Sequence, residues 1–538
     1  MPTVADILVD GLRRAGVQRI FGVPGGGSNL ELLEAARGQG LPFVLCHQES
    51  AACIMAAVTG ELTGAPGAAL STLGPGVAAS STGLAHAFLD RSPLIYLSDR
   101  HPAALLDFAT HQAFDHAAFL TPVVKGSLAV SAESAAHWIA HAAQLAMKEP
   151  RGPVHLDLPA DIAGRPAVPI APAPTPVPLP HPDAADLDRA GAMIRQARRP
   201  VVVAGLQCRG AEAKWLRAFA EALPAPVLTT YKAKGALPDP HPLAMGVFTG
   251  GVLEEPVVSR ADLIIAFGLD TVELIPRRWS YAAPVLSLVR APSRGYFTPA
   301  HEVVGELGAI LEELAPRLQQ HHADWDVVEI ERLRRGRQGA LEIRVSGLAP
   351  HRICQIAREM TPAGAIATVD AGAHMFPAAE YWQAVEPGEF LISNGLATMG
   401  FALPAAIAAQ LACPERRVLC FTGDGGFMMV AAELETAVRL QLPITVIVFN
   451  DAALSLIAVK QEQKGYEGVS MRYAGPDPAA LARAFGIPAR TVTDEPGFIA
   501  ALAAAQATSG PTLIDARIDP SGYREMLEIV RGRPPGHR

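Results

Sequence analysis

Short runs of apolar, often β-branched residues alternate with alanine-rich stretches along most of the chain. In the first third the apolar runs are RIFGVPGG, PFVLCHQE, GAALSTLGPG, SPLIYLSD and GPVHLDLP. Apolar runs of this length, separated by helical patterns, are typical of a parallel β-sheet that is covered by helices. The pattern therefore predicts a first α/β unit that reaches to about residue 165.

The same alternation occurs twice more. A second unit begins at RPVVVAGLQ and continues through PVLTT, LIIAFG and PVLSLV, and a third contains AIATVDAG, FLISNG, RRVLCFTGDGG, PITVIVFND and PTLIDARI. The prolines of AVPIAPAPTPVPLPHP recur too often for a helix or a central strand, so this segment is predicted to be a surface linker. We predict the α/β class, with three doubly wound parallel-sheet domains at residues 1–168, 184–320 and 348–538.

Composition agrees with a large enzyme and excludes several other classes. The chain has 538 residues, which exceeds what one hydrophobic core supports, and 50% of them are apolar. The net charge of −8 offers no basic surface for nucleic acid. Six scattered cysteines form no metal or disulfide pattern, and no signal peptide or membrane-spanning stretch is predicted. We therefore expect a cytoplasmic protein with neither a nucleic-acid nor a membrane partner.

The segment RRVLCFTGDGGFMMVAAELETAVRLQLPITVIVFND contains a strand, a turn, a helix and a second strand. We predict a strand over 418–421, a turn over 423–426 that only glycine allows, and a helix over 428–440. Asp424 then lies at the carboxyl end of its strand. In a parallel sheet, the next strand brings Asp451 to the same edge, so two acids should face one crevice.

Carboxylates beside a glycine-rich turn and a helix N-terminus suit a small divalent ion that holds a diphosphate. The ion would bind the carboxylates, and the phosphates would accept hydrogen bonds from backbone N–H groups. Mg²⁺ is the expected metal. The structural alternative is that Asp424 only supports a tight turn and Asp451 only begins a loop.

This segment resembles the diphosphate-binding motif of the thiamine-diphosphate enzymes, specifically the acetolactate synthase-like group, and the resemblance covers nearly the whole chain. It implies that the metal is held by Asp424, by Asp451 and by the main-chain oxygen of Ala453. The family more often has asparagine at the position of Asp451, so this chain adds a negative charge beside the metal.

In LPFVLCHQESAACIMAAVTGELTG a strand runs into a helix, and Glu49 lies at the junction. The resemblance implies that Glu49 hydrogen-bonds the aminopyrimidine ring of thiamine diphosphate and promotes the tautomer that deprotonates the thiazolium carbon. The alternative is that Glu49 only favours the helix N-terminus, an effect of a few tenths to about 1 kcal/mol.

The segment FLISNGLATMGFALPAAIAAQL resembles the part of the family that grips the aminopyrimidine. Met399 would stand between the two cofactor rings and Ala397 would offer its carbonyl, whereas the structural alternative makes Met399 ordinary core filler. The cofactor-binding residues implied by the resemblance are Glu49, Pro24, Ala373, His374, Ala397, Met399, Gly423, Asp424, Gly425, Gly426, Asp451, Leu454 and Leu456.

The resemblance also implies residues on the substrate side. Gln112 and His111 join Glu49 as the expected catalytic residues, although a loop histidine without a catalytic role would explain His111 equally well. Lys460 occupies a position where the biosynthetic acetohydroxyacid synthases have tryptophan, which weakens an assignment to valine biosynthesis. The expected substrate-pocket residues are Gly25, Gly26, Gly27, Lys125, Ile457 and Lys460.

We predict that the enzyme decarboxylates a 2-oxo acid and joins the remaining fragment to a carbonyl acceptor. The alternative is a lyase or simple decarboxylase of the same fold, of the 2-hydroxyacyl-CoA lyase, benzaldehyde lyase or benzoylformate decarboxylase type. A nicotinamide dehydrogenase is excluded, because no strand is followed by G-x-G-x-x-G with an acid about twenty residues later. The resemblance leaves FAD open, but we expect no obligatory flavin. It implies a homodimer as the minimal active unit and a homotetramer as the assembly.

Overall fold

The computed structural model describes residues 1–169, 178–275, 278–293, 295, 297–318, 321–468, 470–475 and 477–533. The central part of the predicted linker, residues 170–177, lies outside the described residues. No described helix combines the length and the apolar character needed to cross a membrane.

The first six-stranded sheet has the order β2-β1-β3-β4-β6-β5, and every pair of neighbours in it is parallel. Its strands are β1 Ile20–Val23, β2 Phe43–Leu45, β3 Gly67–Ser71, β4 Leu94–Arg100, β5 Ser127–Ala129 and β6 Pro153–Pro159. The helices of this part of the chain are α1 Val4–Arg14, α2 Ser28–Gly38, α3 Glu49–Thr63, α4 Pro75–Leu89, α5 His116–Leu120 and α6 Ala135–Met147.

The second six-stranded sheet has the order β12-β11-β10-β7-β8-β9 and is also entirely parallel. Its strands are β7 Pro200–Ala204, β8 Val227–Thr229, β9 Ala244–Val247, β10 Leu263–Phe267, β11 Val285–Val289 and β12 His301–Val304. The accompanying helices are α7 Ala184–Gln196, α8 Ala213–Ala222, α9 Glu255–Val258, α10 Leu307–Leu314 and α11 Val327–Ala340.

The third six-stranded sheet has the order β14-β13-β15-β16-β18-β17, again with parallel neighbours throughout. Its strands are β13 Ile366–Val369, β14 Phe390–Ile392, β15 Val418–Gly423, β16 Ile444–Asn450, β17 Ala489–Val492 and β18 Thr512–Arg517. The helices from here to the end are α12 Pro350–Met360, α13 Met375–Tyr381, α14 Ala402–Ala412, α15 Asp424–Val430, α16 Glu433–Arg439, α17 Ser455–Gln463, α18 Pro478–Ala484, α19 Glu495–Gln506 and α20 Tyr523–Arg531.

These three sheets confirm the predicted fold class. Alternate residues of a strand point to opposite faces, and in the second sheet Ile264 and Ile265 accordingly belong to two different buried clusters. Apolar side chains therefore fill both faces, as a doubly wound sheet requires. In the third sheet β14 lies on one side of β13, and the next strand along the chain, β15, lies on the other side. Such a sheet has its ligand crevice at the carboxyl ends of the two strands where the strand order reverses, here β13 and β15.

The chain divides into two compact units. The first unit contains Met1–Pro178, Gly395–Glu415 and Met429–Leu442, and the second contains Leu179–Asn394, Arg416–Met428 and Pro443–Arg538. The predicted domain boundaries stay predictions.

The structure corrects the expected turn at residues 423–426. Residue 424 already begins α15, and the single helix expected over 428–440 is two helices, α15 and α16, separated at residues 431–432. None of the described glycines in this turn has a positive φ, so backbone freedom is not the reason for them. Gly426 is required by close approach instead, since a methyl group there would lie 2.2 Å from the Asp370 Oδ2.

Candidate active site

The two predicted acidic ligands lie at the carboxyl ends of neighbouring strands in the second unit. β15 ends at Gly423 and pairs in parallel with β16, with Gly423 opposite Phe449. Asp424 therefore follows one strand end and Asp451 follows the other, at the same edge of the sheet. This edge adjoins the point between β13 and β15 where the chain reverses direction. The predicted placement of the two acids is confirmed.

Three hydrogen bonds hold the Asp424 carboxylate. Its Oδ1 accepts from the backbone N–H of Gly425 at 2.7 Å and from the hydroxyl of Tyr473 at 2.8 Å. Its Oδ2 accepts from the backbone N–H of Ala452 at 2.8 Å. Burial raises the pKa of Asp424, while these donors oppose that rise. The carboxylate is thus oriented by the protein itself.

Asp451 is the second carboxylate of the pair. Burial and the charge of Asp424 raise its pKa to about 6, and a hydrogen bond from the Ser455 hydroxyl opposes the rise. Asp424 is buried and Asp451 is half-buried, and two such neighbouring carboxylates repel each other unless a cation joins them. Hard oxygen ligands of this kind suit Mg²⁺ or a similar divalent ion.

The loop from 451 to 454 has an enforced shape. Ala452 has φ of 55°, which is uncommon for any residue with a side chain. The loop pairs antiparallel with a later segment, because Leu454 N donates to Met471 O at 2.9 Å and Tyr473 N donates to Ala452 O at 3.1 Å. Ala453, the predicted main-chain ligand, lies between these two hydrogen bonds and is buried.

His374 provides a test of whether the site fits a diphosphate. It is buried beside Ala373, and desolvation lowers its pKa to about 4. Its ring stacks on Phe449 at 5.2 Å, and its Cε1 would lie 3.3 Å from a methyl group on Gly423. Its Nε2 is buried and has no hydrogen-bond partner among the described residues. A buried, unpartnered ring nitrogen is expensive, and a polar ligand bound at the strand ends would satisfy it.

Helix α17 carries the predicted pocket residues that follow the metal loop. Leu454 is its N-cap and Leu456 packs partly buried against the core. Ile457 and Lys460, three residues apart, share one exposed helix face. Burial of its stem and the nearby Arg531 and Lys464 lower the pKa of Lys460.

The first unit contains Glu49, which begins α3 as predicted. Its side chain is half-buried, and this burial raises its pKa. The peptide just before it is held by Glu433, whose carboxylate accepts from the backbone N–H groups of His47 at 2.9 Å and Gln48 at 3.1 Å. Glu433 is fully buried and is a residue that sequence reasoning missed.

The glycines after β1 and Pro24 differ in their surroundings. Methyl groups at Gly25 and Gly27 would lie 2.3 Å from the Thr72 Oγ1 and 2.5 Å from the Asp99 Oδ2, whereas one at Gly26 would meet nothing within 4 Å. Asp99, also missed, accepts from Gly27 N at 3.1 Å. Gly25 and Gly27 are therefore needed for packing, and only Gly26 faces open space.

A cavity of about 430 Å³ in the first unit is lined by Gln112 among others. Gln112 is exposed and has φ of 55°. His116, which the sequence alone did not single out, is buried in the wall, where its Nδ1 lies 3.1 Å from the Asp157 Oδ1 and its Nε2 accepts from Gly74 N at 3.2 Å. The cavity lining does not include His111.

Lys125 does not belong to that lining either. Its ammonium donates to the carbonyls of Leu145 and Lys148, at the end of α6, and burial lowers its pKa to about 8. The structure thus gives Lys125 a contact that stabilises a helix C-terminus. A role in substrate binding stays a prediction.

Residues 395–411 of the predicted aminopyrimidine segment also lie in the first unit. Ala397 is exposed with φ of 54°, and Met399 is half-buried. Three non-glycine residues with positive φ, namely Gln112, Ala397 and Ala452, therefore fall in predicted site segments. Strained backbone is commonly retained where it serves a ligand, which agrees with this grouping.

Some of the missed residues had a signal in the sequence and others had none. Asp99 ends the apolar run LIYLSD, and Asp370 ends the apolar run AIATVD. The ends of such strands are the position where ligands of parallel sheets are expected. Tyr473 has no such signal, because it lies in an irregular segment far along the chain from Asp424.

Three family models match the chain in order. They are described as the N-terminal TPP binding domain, the central domain and the C-terminal TPP binding domain of thiamine pyrophosphate enzymes, and they match residues 2–119, 187–314 and 370–516.

Several characterised proteins are similar over their whole length. The catabolic acetolactate synthase of Raoultella terrigena is 31% identical, with 97% of this chain and 95% of that protein covered. The acetolactate synthase isozyme 2 large subunit of Escherichia coli (strain K12) is 30% identical, with 99% and 97% covered. The acetolactate synthase of Bacillus subtilis (strain 168) is 29% identical, with 99% and 95% covered.

Proposed function

The chain belongs to the thiamine pyrophosphate enzymes, in the acetolactate synthase-like group, and from this premise we infer that it is a decarboxylating carboligase. It decarboxylates a 2-oxo acid with thiamine diphosphate and joins the remaining fragment to a carbonyl acceptor. The observation that carries this conclusion is the pair of carboxylates, the buried Asp424 and the half-buried Asp451, at the carboxyl ends of adjacent parallel strands.

We propose that Asp424, Asp451 and the main-chain oxygen of Ala453 hold Mg²⁺. The donor chemistry supports this proposal, since three hard oxygen atoms suit Mg²⁺ and the cation removes the repulsion between two neighbouring acids. The unpartnered Nε2 of His374 supports a polar ligand at the strand ends, and the match to the TPP binding domains supports a diphosphate as that ligand. Thiamine diphosphate, when bound, supplies a nucleophilic carbon that attacks the carbonyl of the 2-oxo acid and accepts the electron pair released with carbon dioxide.

The remaining roles concern this chain's own groups. Glu49 would hold and move a proton at the aminopyrimidine nitrogen, and its half-buried position favours such a proton-holding role. Met399 would keep the two cofactor rings in close approach. Gln112 and Gly26 would contact the substrate, because the first lines a cavity and the second faces open space.

We propose that the protein works as a homodimer at least, assembles as a homotetramer, and resides in the cytoplasm. We also propose that it needs no flavin. After β10, Glu273 is buried and accepts a hydrogen bond from Leu206 N at 2.8 Å, in the turn after β7 where a dinucleotide fold usually receives pyrophosphate. The Leu206 N–H is thus already bonded within the protein and is not available to a pyrophosphate.

The experiment that tests the proposed function uses apo-protein reconstituted with thiamine diphosphate and Mg²⁺ and supplied with pyruvate. Acetolactate, acetaldehyde and ketols formed with an added aldehyde are separated and quantified. We expect acetolactate. Acetaldehyde alone would replace the carboligase assignment by a simple decarboxylase, and cofactor binding without any pyruvate turnover would move the substrate to another 2-oxo or 2-hydroxyacyl compound.

A further inference from the structure

Tyr473 contacts the metal-binding residues although it lies outside the diphosphate motif. It belongs to the connection between α17 and α18, and the residue is 37% exposed. Its hydroxyl donates to the Asp424 Oδ1 at 2.8 Å, and its backbone N–H donates to Ala452 O at 3.1 Å. One residue thus contacts both the Asp424 carboxylate and the loop that carries Ala453.

The hydrogen bonds of Asp424 are unevenly distributed between its two oxygens. Oδ1 accepts from Tyr473 and Gly425, and Oδ2 accepts from Ala452, while the Ala453 N–H also bonds to this carboxylate. Each carboxylate oxygen has two lone-pair sites, so Tyr473 and Gly425 fill those of Oδ1 and leave Oδ2 as the oxygen to face a cation. Without the Tyr473 hydroxyl, Oδ1 would have a free site, and the carboxylate would lose its only side-chain donor among the described residues.

The backbone around Tyr473 acts on the third predicted ligand. Ala453 forms an antiparallel bridge with Arg472, and the hydrogen bonds Leu454 N to Met471 O and Tyr473 N to Ala452 O flank it on both sides. The segment Met471–Tyr473 therefore pairs with the loop 452–454 as a short antiparallel strand would. It connects the position of the main-chain oxygen to the position of the Asp424 side chain.

We propose that Tyr473 is a positioning residue for the metal site, whose hydroxyl orients the Asp424 carboxylate so that the Oδ2 faces the divalent cation. This proposal rests on the proposed function, since it assumes that the site holds a metal. Groups that orient a ligating side chain typically contribute 10- to 100-fold to metal affinity. Loss of the hydroxyl should weaken metal binding by a factor in that range.

The test compares Tyr473→Phe with Tyr466→Phe in the full-length protein. Tyr466 lies in the same connection, is 62% exposed, and has the Lys464 ammonium 5.9 Å from its ring, away from the metal site's hydrogen bonds. Mn²⁺ is titrated into each protein, with and without saturating thiamine diphosphate, and free Mn²⁺ is measured by its EPR signal. Thermal unfolding without metal verifies that both variants fold.

We expect the Mn²⁺ Kd of Tyr473→Phe to rise roughly 10- to 100-fold, with that of Tyr466→Phe unchanged. We also expect excess Mg²⁺ to restore kcat in Tyr473→Phe, a rescue that a general loss of structure would not allow. An unchanged or lower Kd, in a variant whose parent protein binds Mn²⁺ and turns over pyruvate, overturns the role of Tyr473 alone. Absence of Mn²⁺ binding in the parent protein overturns both this inference and the proposed metal site.

Discussion

At the scale of single residues, the neighbours of a side chain decide its chemistry more than its type does. The three glycines after Pro24 are identical in the sequence, but only Gly25 and Gly27 press against other groups of the protein. Likewise, Asp451 has the same type of carboxyl group as the exposed acids of the surface helices, but burial beside Asp424 raises the pKa of Asp451 to about 6.

Substitutions at Gly26 and Gly27 distinguish a role in packing from a role in ligand contact. In Gly27→Ala the new methyl group would meet the Asp99 carboxylate, and overpacking of this kind costs about 1–3 kcal/mol of folding free energy. Gly26→Ala meets nothing in the protein, so its unfolding temperature should equal that of the parent while its KM rises. Thermal unfolding and steady-state kinetics on both variants provide the check. A destabilised Gly26→Ala with normal KM would contradict the assignment.

Glu49→Gln should separate cofactor binding from proton transfer. The amide keeps the shape of the side chain but cannot hold the proton, so thiamine diphosphate should still bind while hydrogen exchange at the thiazolium carbon slows by roughly 10²- to 10⁴-fold. NMR-monitored exchange with deuterium in quenched samples measures the rate. Glu31→Gln, on an exposed position of α2, is the matched control. Equal exchange rates in both variants would remove the proposed role.

His155 should make stability depend on pH between 6.5 and 4. Burial lowers its pKa to about 4, and its two ring nitrogens are bound to Ser98 and Ser127 at 2.7 Å each. Below pH 6.5 the unfolded chain binds a proton at this histidine that the folded protein does not bind. The free energy of unfolding therefore decreases as the pH is lowered from 6.5 to 4, by up to about 3 kcal/mol. Urea unfolding of His155→Gln should show a flatter pH dependence than His141→Gln, whose histidine is exposed on α6. Parallel curves would contradict this expectation.

At the scale of elements, the strands that the hydrophobic pattern did not predict share one position. The four are β5, β9, β12 and β17, and each is at the edge of its sheet. An edge strand has only one neighbour and more solvent exposure, so it lacks the continuous apolar run of a strand buried on both faces. β17, with the sequence ARTV and two exposed residues at its centre, illustrates the effect.

Helix α16 holds the start of α3 through the buried Glu433. Glu433→Ala removes hydrogen bonds from two backbone N–H groups to a charged group, worth about 1.5–3 kcal/mol each. We expect a lower unfolding temperature and a kcat reduced roughly 10- to 100-fold by misplacement of Glu49, with little change in the Kd of thiamine diphosphate. Glu435→Ala removes half-exposed pairs with His47 and Arg439 and serves as the control. A kcat equal in both variants would show that Glu433 does not position Glu49.

At the scale of the whole molecule, cofactor binding should stabilise the fold as well as supply the chemistry. A ligand that binds only the folded protein adds about 2.7 kcal/mol when its concentration is 100 times its Kd. Thiamine diphosphate with Mg²⁺ should therefore raise the unfolding temperature, and EDTA should reverse the rise. Asp424→Asn should lose the rise, whereas Asp10→Asn, which removes only an exposed pair with Arg14, should keep it. A rise that survives in Asp424→Asn would place the metal elsewhere.

The amino-acid sequence by itself determined the α/β class, the parallel sheets, and the placement of Asp424, Asp451 and Glu49 at strand ends and a helix start. These features follow from local periodicity and from the rule that neighbouring parallel strands end at one edge, so a short window of residues contains the information. The tertiary structure alone decided the edge strands, the division of α15 from α16, and the contacts of Tyr473 and Glu433. The edge positions and the contacts of Tyr473 and Glu433 depend on groups far apart in the chain that meet only after folding, and for that reason no local pattern indicates them.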